Sequence, residues 1–299
     1  MKKTVIIGCI HKELNVLYER LPQANEEGSP LSVSSAPGGS GYETALLYEK
    51  IGFPYELLAG YGSGIYAEET KAEAAKESIF AKETEITAGC GYHMFDKDGN
   101  ESLLTIPGGE YDFPADTAYE LDSQDLRTPI VFGEIMTGSD PENVLSFLYD
   151  LSEPYTFVPS HCWSEIDVFL REEILRMKPR LHLSMAEADE FVSGEYTDPL
   201  DCAKEIYSIS EGPVILVVNG EGSLYYDGQN SYFAPYEDSI DICRHAAVFH
   251  LAANAGIGVR NALLLANQYA WRESWQSCRN SDAYFRDLKE EIKRIILQK

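Results

Sequence analysis

Short strand-like runs recur along the chain, at residues 4–7, 129–132, 155–158, 181–183 and 214–218. Their length and β-branched content suit strands buried on both faces. Between several of them lie stretches of helical period, for example 164–177 and 198–209. Strand and helix in alternation predict a parallel sheet covered by helices on both sides. The interval 90–113 differs, because two short polar-apolar segments flank Asp96-Lys97-Asp98-Gly99-Asn100. Its Asp-Gly pair supplies the backbone angles of a hairpin, so this interval reads as part of a small β-lid. Residues 239–242, Ser-Ile-Asp-Ile, alternate as a strand would, and lead into a helix through Cys243, Arg244 and His245. At such a turn the backbone N–H groups of the helix gather anions, yet no glycine stands here. Residues 288–294 repeat apolar and charged positions at helical spacing, which predicts an amphipathic helix lying on the body.

Composition narrows the class. A chain of 299 residues can bury a substantial core, and one main domain is expected. No apolar run approaches the roughly 20 residues that span a bilayer, so no membrane partner is expected. The start, MKKTVIIGCI, sets lysines before an apolar run, but Gly8 and His11-Lys12-Glu13 interrupt it too soon for a signal peptide. It reads as a first strand. The formal charge of −25 would repel a phosphate backbone, and nucleic acid is excluded as a partner on that ground. Much of the acid falls on helical faces such as 67–73, which read as solvated surface. The six cysteines, Cys9, Cys90, Cys162, Cys202, Cys243 and Cys278, form no Cys-x-x-Cys pair and no zinc spacing with histidine. Reduced thiols in a cytoplasm account for them most simply.

Several local signals carry chemistry. Pro37-Gly38-Gly39-Ser40-Gly41-Tyr42-Glu43 enters a helix, and its glycines permit either a sharp turn or close approach of backbone to a ligand. Gly60-Tyr61-Gly62-Ser63-Gly64 follows a short strand and reads as a tight turn. Ser184 and Glu187 have the spacing of a capping box after a buried strand, though a carboxylate there can also hold the water shell of a magnesium ion. Asn219-Gly220-Glu221-Gly222 is a turn, or a nucleotide-contacting loop if it lies on the same sheet edge. The six histidines share no metal spacing, and no Gly-x-Ser-x-Gly elbow occurs.

The order of these signals is more specific than any one of them. The Gly8 strand, Gly38-Gly39-x-Gly41, Gly60-x-Gly62, the Asp98-Gly99 hairpin, Ser-x-x-Glu187, Val-Asn-Gly220, an Asp-bearing turn and Ala266-Asn267 follow one another along the chain. In this order they resemble the ribokinase (PfkB-type) carbohydrate kinase family over nearly the whole length. The resemblance implies an α/β fold with a ribokinase-like doubly wound, mostly parallel sheet flanked by helices. It further implies one domain over 1–299, with a small β-sheet lid from parts of 11–36 and 90–113. A small carbohydrate-like or nucleoside ligand would sit beneath the lid, and two lids would pair in a homodimer. ATP and Mg2+ are the implied cofactors. Substrate contacts carry over to Glu13, Gly38, Gly39, Gly41, Glu43 and Glu134; nucleotide or anion contacts to Glu187, Gly220, Arg244, His245 and Asn267; and a water-mediated magnesium contact to Glu187.

The resemblance fails where the family writes Asp-Thr-x-Gly-Ala-Gly-Asp, whose glycines free an anion hole and whose last Asp is the base. Counting from Pro235 puts that Asp at Ala247, and counting back from Gly256 and Ala266-Asn267 puts it at Cys243. The second register is preferred, because helices tolerate insertions poorly. Neither position holds a carboxylate, and Asp241 is the only acid near enough to stand in as catalytic base. The family's sugar-binding Asp is Glu13 here, the Asn closing its glycine cluster is Glu43, and Ser184 and Val218 replace two further polar groups. The expected function is therefore a family homologue with impaired catalysis that binds a carbohydrate-like ligand, ATP and Mg2+ no longer being held in the usual way. The alternative is an active ATP-dependent sugar or nucleoside kinase with Asp241 or another carboxylate as base.

Overall fold

A computed structural model describes residues 2–151, 154–192, 194, 196–270 and 282–298. Cys278 lies outside these residues. The strands are β1 Lys3–Ile7, β2 His11–Tyr18, β3 Ser32–Gly38, β4 Tyr55–Leu58, β5 Cys90–Asp96, β6 Glu101–Ile106, β7 Leu126–Phe132, β8 Thr156–Val158, β9 Arg180–Ser184, β10 Val214–Val218, β11 Gly222–Tyr226 and β12 Ser231–Pro235. The helices are α1 Ser40–Ile51, α2 Ile65–Ala74, α3 Ala115–Tyr119, α4 Pro141–Leu151, α5 Val168–Arg176, α6 Met185–Val192, α7 Pro199–Ser210, α8 Ile242–Asn254, α9 Val259–Tyr269 and α10 Asp282–Leu297.

The large sheet runs β12-β11-β10-β9-β8-β7-β1-β4 and is parallel from β10 to β4, with β11 and β12 added antiparallel at one edge. Successive residues of its strands point to opposite faces, so each strand feeds two cores. On one face Ile6, Ile130, Phe132 and Ile215 pack with α1, α8, α9 and α10; on the other Val5, Ile7, Val131, Phe157 and Leu216 pack with α4 to α7. The C-terminal helix α10 buries Phe285, Leu288 and Ile292, as its amphipathic pattern requires. A smaller sheet, β3-β2-β5-β6, takes its strands from the loop between β1 and α1 and from the segment between α2 and α3. Its β5–β6 hairpin turns at Gly99, where φ is 85°.

One expected strand is missing. Residues 239–242 form no named strand; Asp241 takes an extended conformation with φ −77° and ψ 121° and caps α8, which begins at Ile242. An aspartate one residue before a helix satisfies the helix N-terminus better than four alternating residues stabilise an isolated strand.

The core beneath α8 is basic in composition but not in charge. Asn267 Nδ2 donates to Ala234 O at 2.8 Å, which turns its Oδ1 towards His245 Nε2, 3.0 Å away. His245 therefore donates through Nε2, and its Nδ1 accepts from His182 Nε2 at 2.7 Å. His250 donates Nε2–H to Pro129 O and accepts from the Tyr48 hydroxyl, each at 3.1 Å. All three rings are neutral, since burial pushes His245 down to about 4 and His250 down to about 3, and holds His182 well below its ordinary value.

Because these pKa values lie below the ordinary 6.5, the unfolded chain binds protons before the folded one. The stabilisation is complete above pH 6.5 and is lost as pH falls towards the folded values. Chemical denaturation at intervals from pH 7 to pH 4 will show stability falling, each such histidine contributing about 1.4 kcal/mol per pH unit. His250→Gln will reduce the slope by roughly that amount relative to the parent.

Candidate functional site

Two parallel strands, β1 and β7, part the chain in opposite directions, for β1 is followed by β4 on one side and the chain then crosses to β7 on the other. The crevice at such a switch point, beyond the carboxyl ends of the strands, is where doubly wound sheets hold ligands. Here it is built from Gly8-Cys9, Gly133-Glu134 and the glycine turn that starts α1. Gly39 has φ +99°, and a Cβ on it would stand 2.7 Å from Cys9 O and 2.8 Å from Cys9 Sγ. Gly41 lies as tightly on Gly8, with 2.7 Å to its carbonyl. The glycines thus press the turn onto the end of β1, and Tyr42 N donates to Cys9 O at 3.1 Å. Glu134 closes the junction: its Oε1 accepts from Ser40 Oγ and, at 3.5 Å, from Cys9 N. Glu13, reaching in from β2, lies against Gly38.

The start of α8 forms the opposite wall. Asp241 Oδ1 accepts from Arg244 N at 2.9 Å, and Asp241 O accepts from His245 N at the same distance. Of the N–H groups at this helix end, that of Arg244 is thus taken by the capping carboxylate, and that of His245 makes the first bond of the helix itself. Cys243 faces Ser160 Oγ at 3.5 Å, and burial, then the charges of Asp241 and Glu134, push its thiol well above the usual range. It is no thiolate. Arg244, buried to 7% exposure, sets its guanidinium 3.6 Å from Glu43. Ser40, Glu43, Thr44, Leu47, Cys243, Arg244 and Ala247 line the remaining cleft, which leaves about 10 Å³ for the centre of a water molecule. That is space for one water. Both registers of the motif, Cys243 and Ala247, therefore face the same cleft one helical turn apart.

The third wall is β8 and β9. Glu187 accepts from Ser184 N and Ser184 Oγ through Oε2, each at 2.8 Å, and Ser184 Oγ accepts from Glu187 N at 3.3 Å. This is the capping box expected from the spacing. Oε1 accepts from His161 N at 2.8 Å, so both oxygens of this carboxylate, 2% exposed, are engaged. Ser160 and His161, with φ 55° and 66°, are consecutive left-handed residues other than glycine. Such a pair is strained, and it holds the β8 loop against Cys243 and Glu187.

Solved structures share this fold. A ribokinase from Thermotoga maritima matches with a TM-score of 0.76 at 16% identity, covering 97% of this chain and 100% of its own. A ribokinase from Arabidopsis thaliana, complexed with ribose and ATP, matches at 0.75 with 14% identity over 98% and 99%. The chain has the ribokinase fold. A nucleoside kinase from Burkholderia thailandensis in complex with inosine carries it too, at TM-score 0.71 and 15% identity over 96% and 97%. No family model matches the sequence, and no curated protein matches it.

Within the ribokinase fold the expected site residues divide. Gly38, Gly39, Gly41, Glu43, Glu134, Asp241 and Arg244 gather at the switch-point crevice, with Glu13 above them in the lid. Glu187 stands at the carboxyl end of β9, committed to its cap. Gly220, φ 77°, turns the chain between β10 and β11, and its neighbour Asn219 accepts from Ile240 N at 3.3 Å, tying that turn to the approach of α8. His245 is not a surface cation: it is fully buried and neutral, and with Asn267 it belongs to the core. Asn267 borders a wider cavity of about 510 Å³ between β12, α9 and α10, but both ends of its amide are spent internally. Gly60 and Gly62 have structural work, Gly62 standing 2.7 Å from the Ala88 backbone were a Cβ added. Sequence reading missed Ser40, Cys9 and Ser160, and their position directly after β1 and β8 or within the glycine turn was the available signal. His182, 63 residues from His245, offered none.

Glu187→Ala leaves the Ser184 and His161 donors without their acceptor inside the protein. A loss of about 2–4 kcal/mol is expected in urea unfolding, against about 1 kcal/mol for Ser184→Ala, with the double variant less than additive.

Proposed function

We propose that this ribokinase-fold chain binds a small carbohydrate-like ligand in the crevice beneath its lid and does not transfer phosphoryl groups at a kinase rate. One observation carries the reading: the helix end where the fold needs free N–H groups and a base is capped by Asp241 and filled by Arg244 on Glu43. Phosphoryl transfer asks for a base to take the acceptor's proton and for electrostatic support of the moving group. Losing the base lowers rate by about 10²–10⁴, and losing anion-hole donors by roughly 10²–10³ more. ATP and Mg2+ do not fit the residues present. A transferred phosphate at this helix end would meet the Arg244–Glu43 pair, and three donors already converge on the carboxylate of the magnesium candidate Glu187.

The ligand side of the crevice supports binding. The glycine turn is intact, Glu13, Glu43 and Glu134 offer acceptors to hydroxyl groups, and the lid stands above them. Solved neighbours of the same fold hold ribose or inosine, and the same ligand class is proposed here. Pairing of two lids is proposed as well. The edge strand β6 is exposed along its length and carries Leu103, Leu104 and Ile106, with Val33 exposed on the opposite edge strand. Five free thiols among the described residues fit a reducing cytoplasm.

A phosphorylation assay with ATP-magnesium over a panel of sugars and nucleosides is expected to give turnover far below about 1 s⁻¹, the lower end of ordinary kinases. Asp241→Asn keeps a good N-cap, so stability is expected to change by less than about 0.5 kcal/mol, with no change in ligand affinity. Turnover in the kinase range that Asp241→Asn abolishes would make Asp241 the base and the protein a working kinase.

A further inference from the structure

The turn between β10 and β11 carries chemistry that the crevice does not use. Glu221 N donates to Val218 O at 3.0 Å, closing a β-turn whose third residue, Gly220, has φ 77°. Asn219 and Gly220 are both exposed, and theirs is the one Asn-Gly pair in the chain. A glycine after asparagine leaves its peptide nitrogen uncrowded, because it has no Cβ. The surroundings are open as well: apart from its chain neighbours, a Cβ on Gly220 would find nothing nearer than Glu237 O at 4.0 Å. The Gly220 N–H meets no acceptor among the described residues.

The asparagine amide is held at its oxygen. Asn219 Oδ1 accepts from Ile240 N at 3.3 Å, a backbone donor on the approach to α8. A donor aimed at a carbonyl oxygen supports the negative charge that develops there when a nucleophile adds to the carbonyl carbon. The other exposed asparagines lack this combination. Glu26 N, after Asn25, donates to Gln23 O, and Ala262 N, after Asn261, donates to Gly258 O. Asn100 and Asn230 hold Asp96 and Asp227 through Nδ2, and the residues after them open β6 and β12.

We infer that Asn219 is a site of spontaneous covalent modification, which closes on Gly220 as a succinimide and opens to aspartate or isoaspartate. Gly220 N gives its proton to solvent base and bonds to Asn219 Cγ. The Cγ–Nδ2 bond then breaks, and Nδ2 takes up a proton and leaves as ammonia. Water opens the ring: attack at Cγ gives aspartate at position 219, and attack at the main-chain carbonyl gives isoaspartate. No atom changes oxidation state overall. Either product sets an anion where a neutral amide stood, next to the stretch that carries Glu237, Asp238 and Asp241. Aspartate keeps an oxygen for Ile240 N, whereas isoaspartate lengthens the main chain by a methylene and draws the carboxylate off that donor.

The full chain, kept folded at pH 8 and sampled over days, tests this by peptide mapping with mass spectrometry. Asn219→Asp supplies the aspartate product for comparison, and a methyltransferase specific for isoaspartate identifies the other. In the folded chain Asn219 is expected to lose its amide at least about tenfold faster than any other asparagine, and no more slowly than in urea. The rate is expected to fall at pH 6, because Gly220 N must give up a proton. If Asn219 keeps its amide, converts no faster than the other asparagines, or converts faster in urea than when folded, the inference is overturned.

Discussion

The bond from Arg244 N to the Asp241 carboxylate sets the character of the whole site. A helix N-terminus exposes N–H groups and partial positive charge, and a ribokinase-fold protein that moves phosphate depends on leaving them open. Here a side-chain anion from the same chain stands at that end and takes one of them, the Arg244 N–H. Once Asp241 caps α8, the next residues are fixed in register: Cys243 faces Ser160, Arg244 is carried over Glu43, and His245 is driven into the core. Each consequence follows from helical spacing, since residues three and four apart share a face and adjacent ones do not. The cap and the plug are one structural fact.

What remains after this closure is a crevice with acceptors and few donors. The glycine turn lies close against the end of β1, which leaves no room for a side chain there. Backbone geometry and side-chain chemistry have separated here. A Cβ on Gly39 or Gly41 would fall within 3 Å of neighbouring backbone, so packing alone requires these glycines, whereas a base or an anion-hole donor is needed only for reaction. Around that turn stand the carboxylates of Glu13, Glu43 and Glu134.

The architecture was legible because its signals are local. The apolar runs, the Asp98-Gly99 turn and the Ser184–Glu187 box each act within a few residues, and each stands where the pattern put it. Residues 239–242 misled for the opposite reason. Their alternation is a weak signal over four residues, and the aspartate within them was an N-cap signal for the helix that follows. His245 read as a cation at the mouth because sequence shows type and position but not burial. Its partners His182 and Asn267 lie 63 and 22 residues away, and only the packing of α8 on β9 and of α9 on α8 joins them. The left-handed turn at Ser160 and His161 was hidden too, for it is imposed by contacts to Glu187 and Cys243 rather than by glycine.

A crystal structure grown with magnesium and a non-hydrolysable ATP analogue tests the account at its centre. The account predicts Arg244 still facing Glu43, Asp241 still bonded to Arg244 N, and no phosphate oxygen within hydrogen-bond distance of the N–H groups of residues 241–245. A γ-phosphate seated on those groups, with Arg244 swung clear of the cleft, would contradict it.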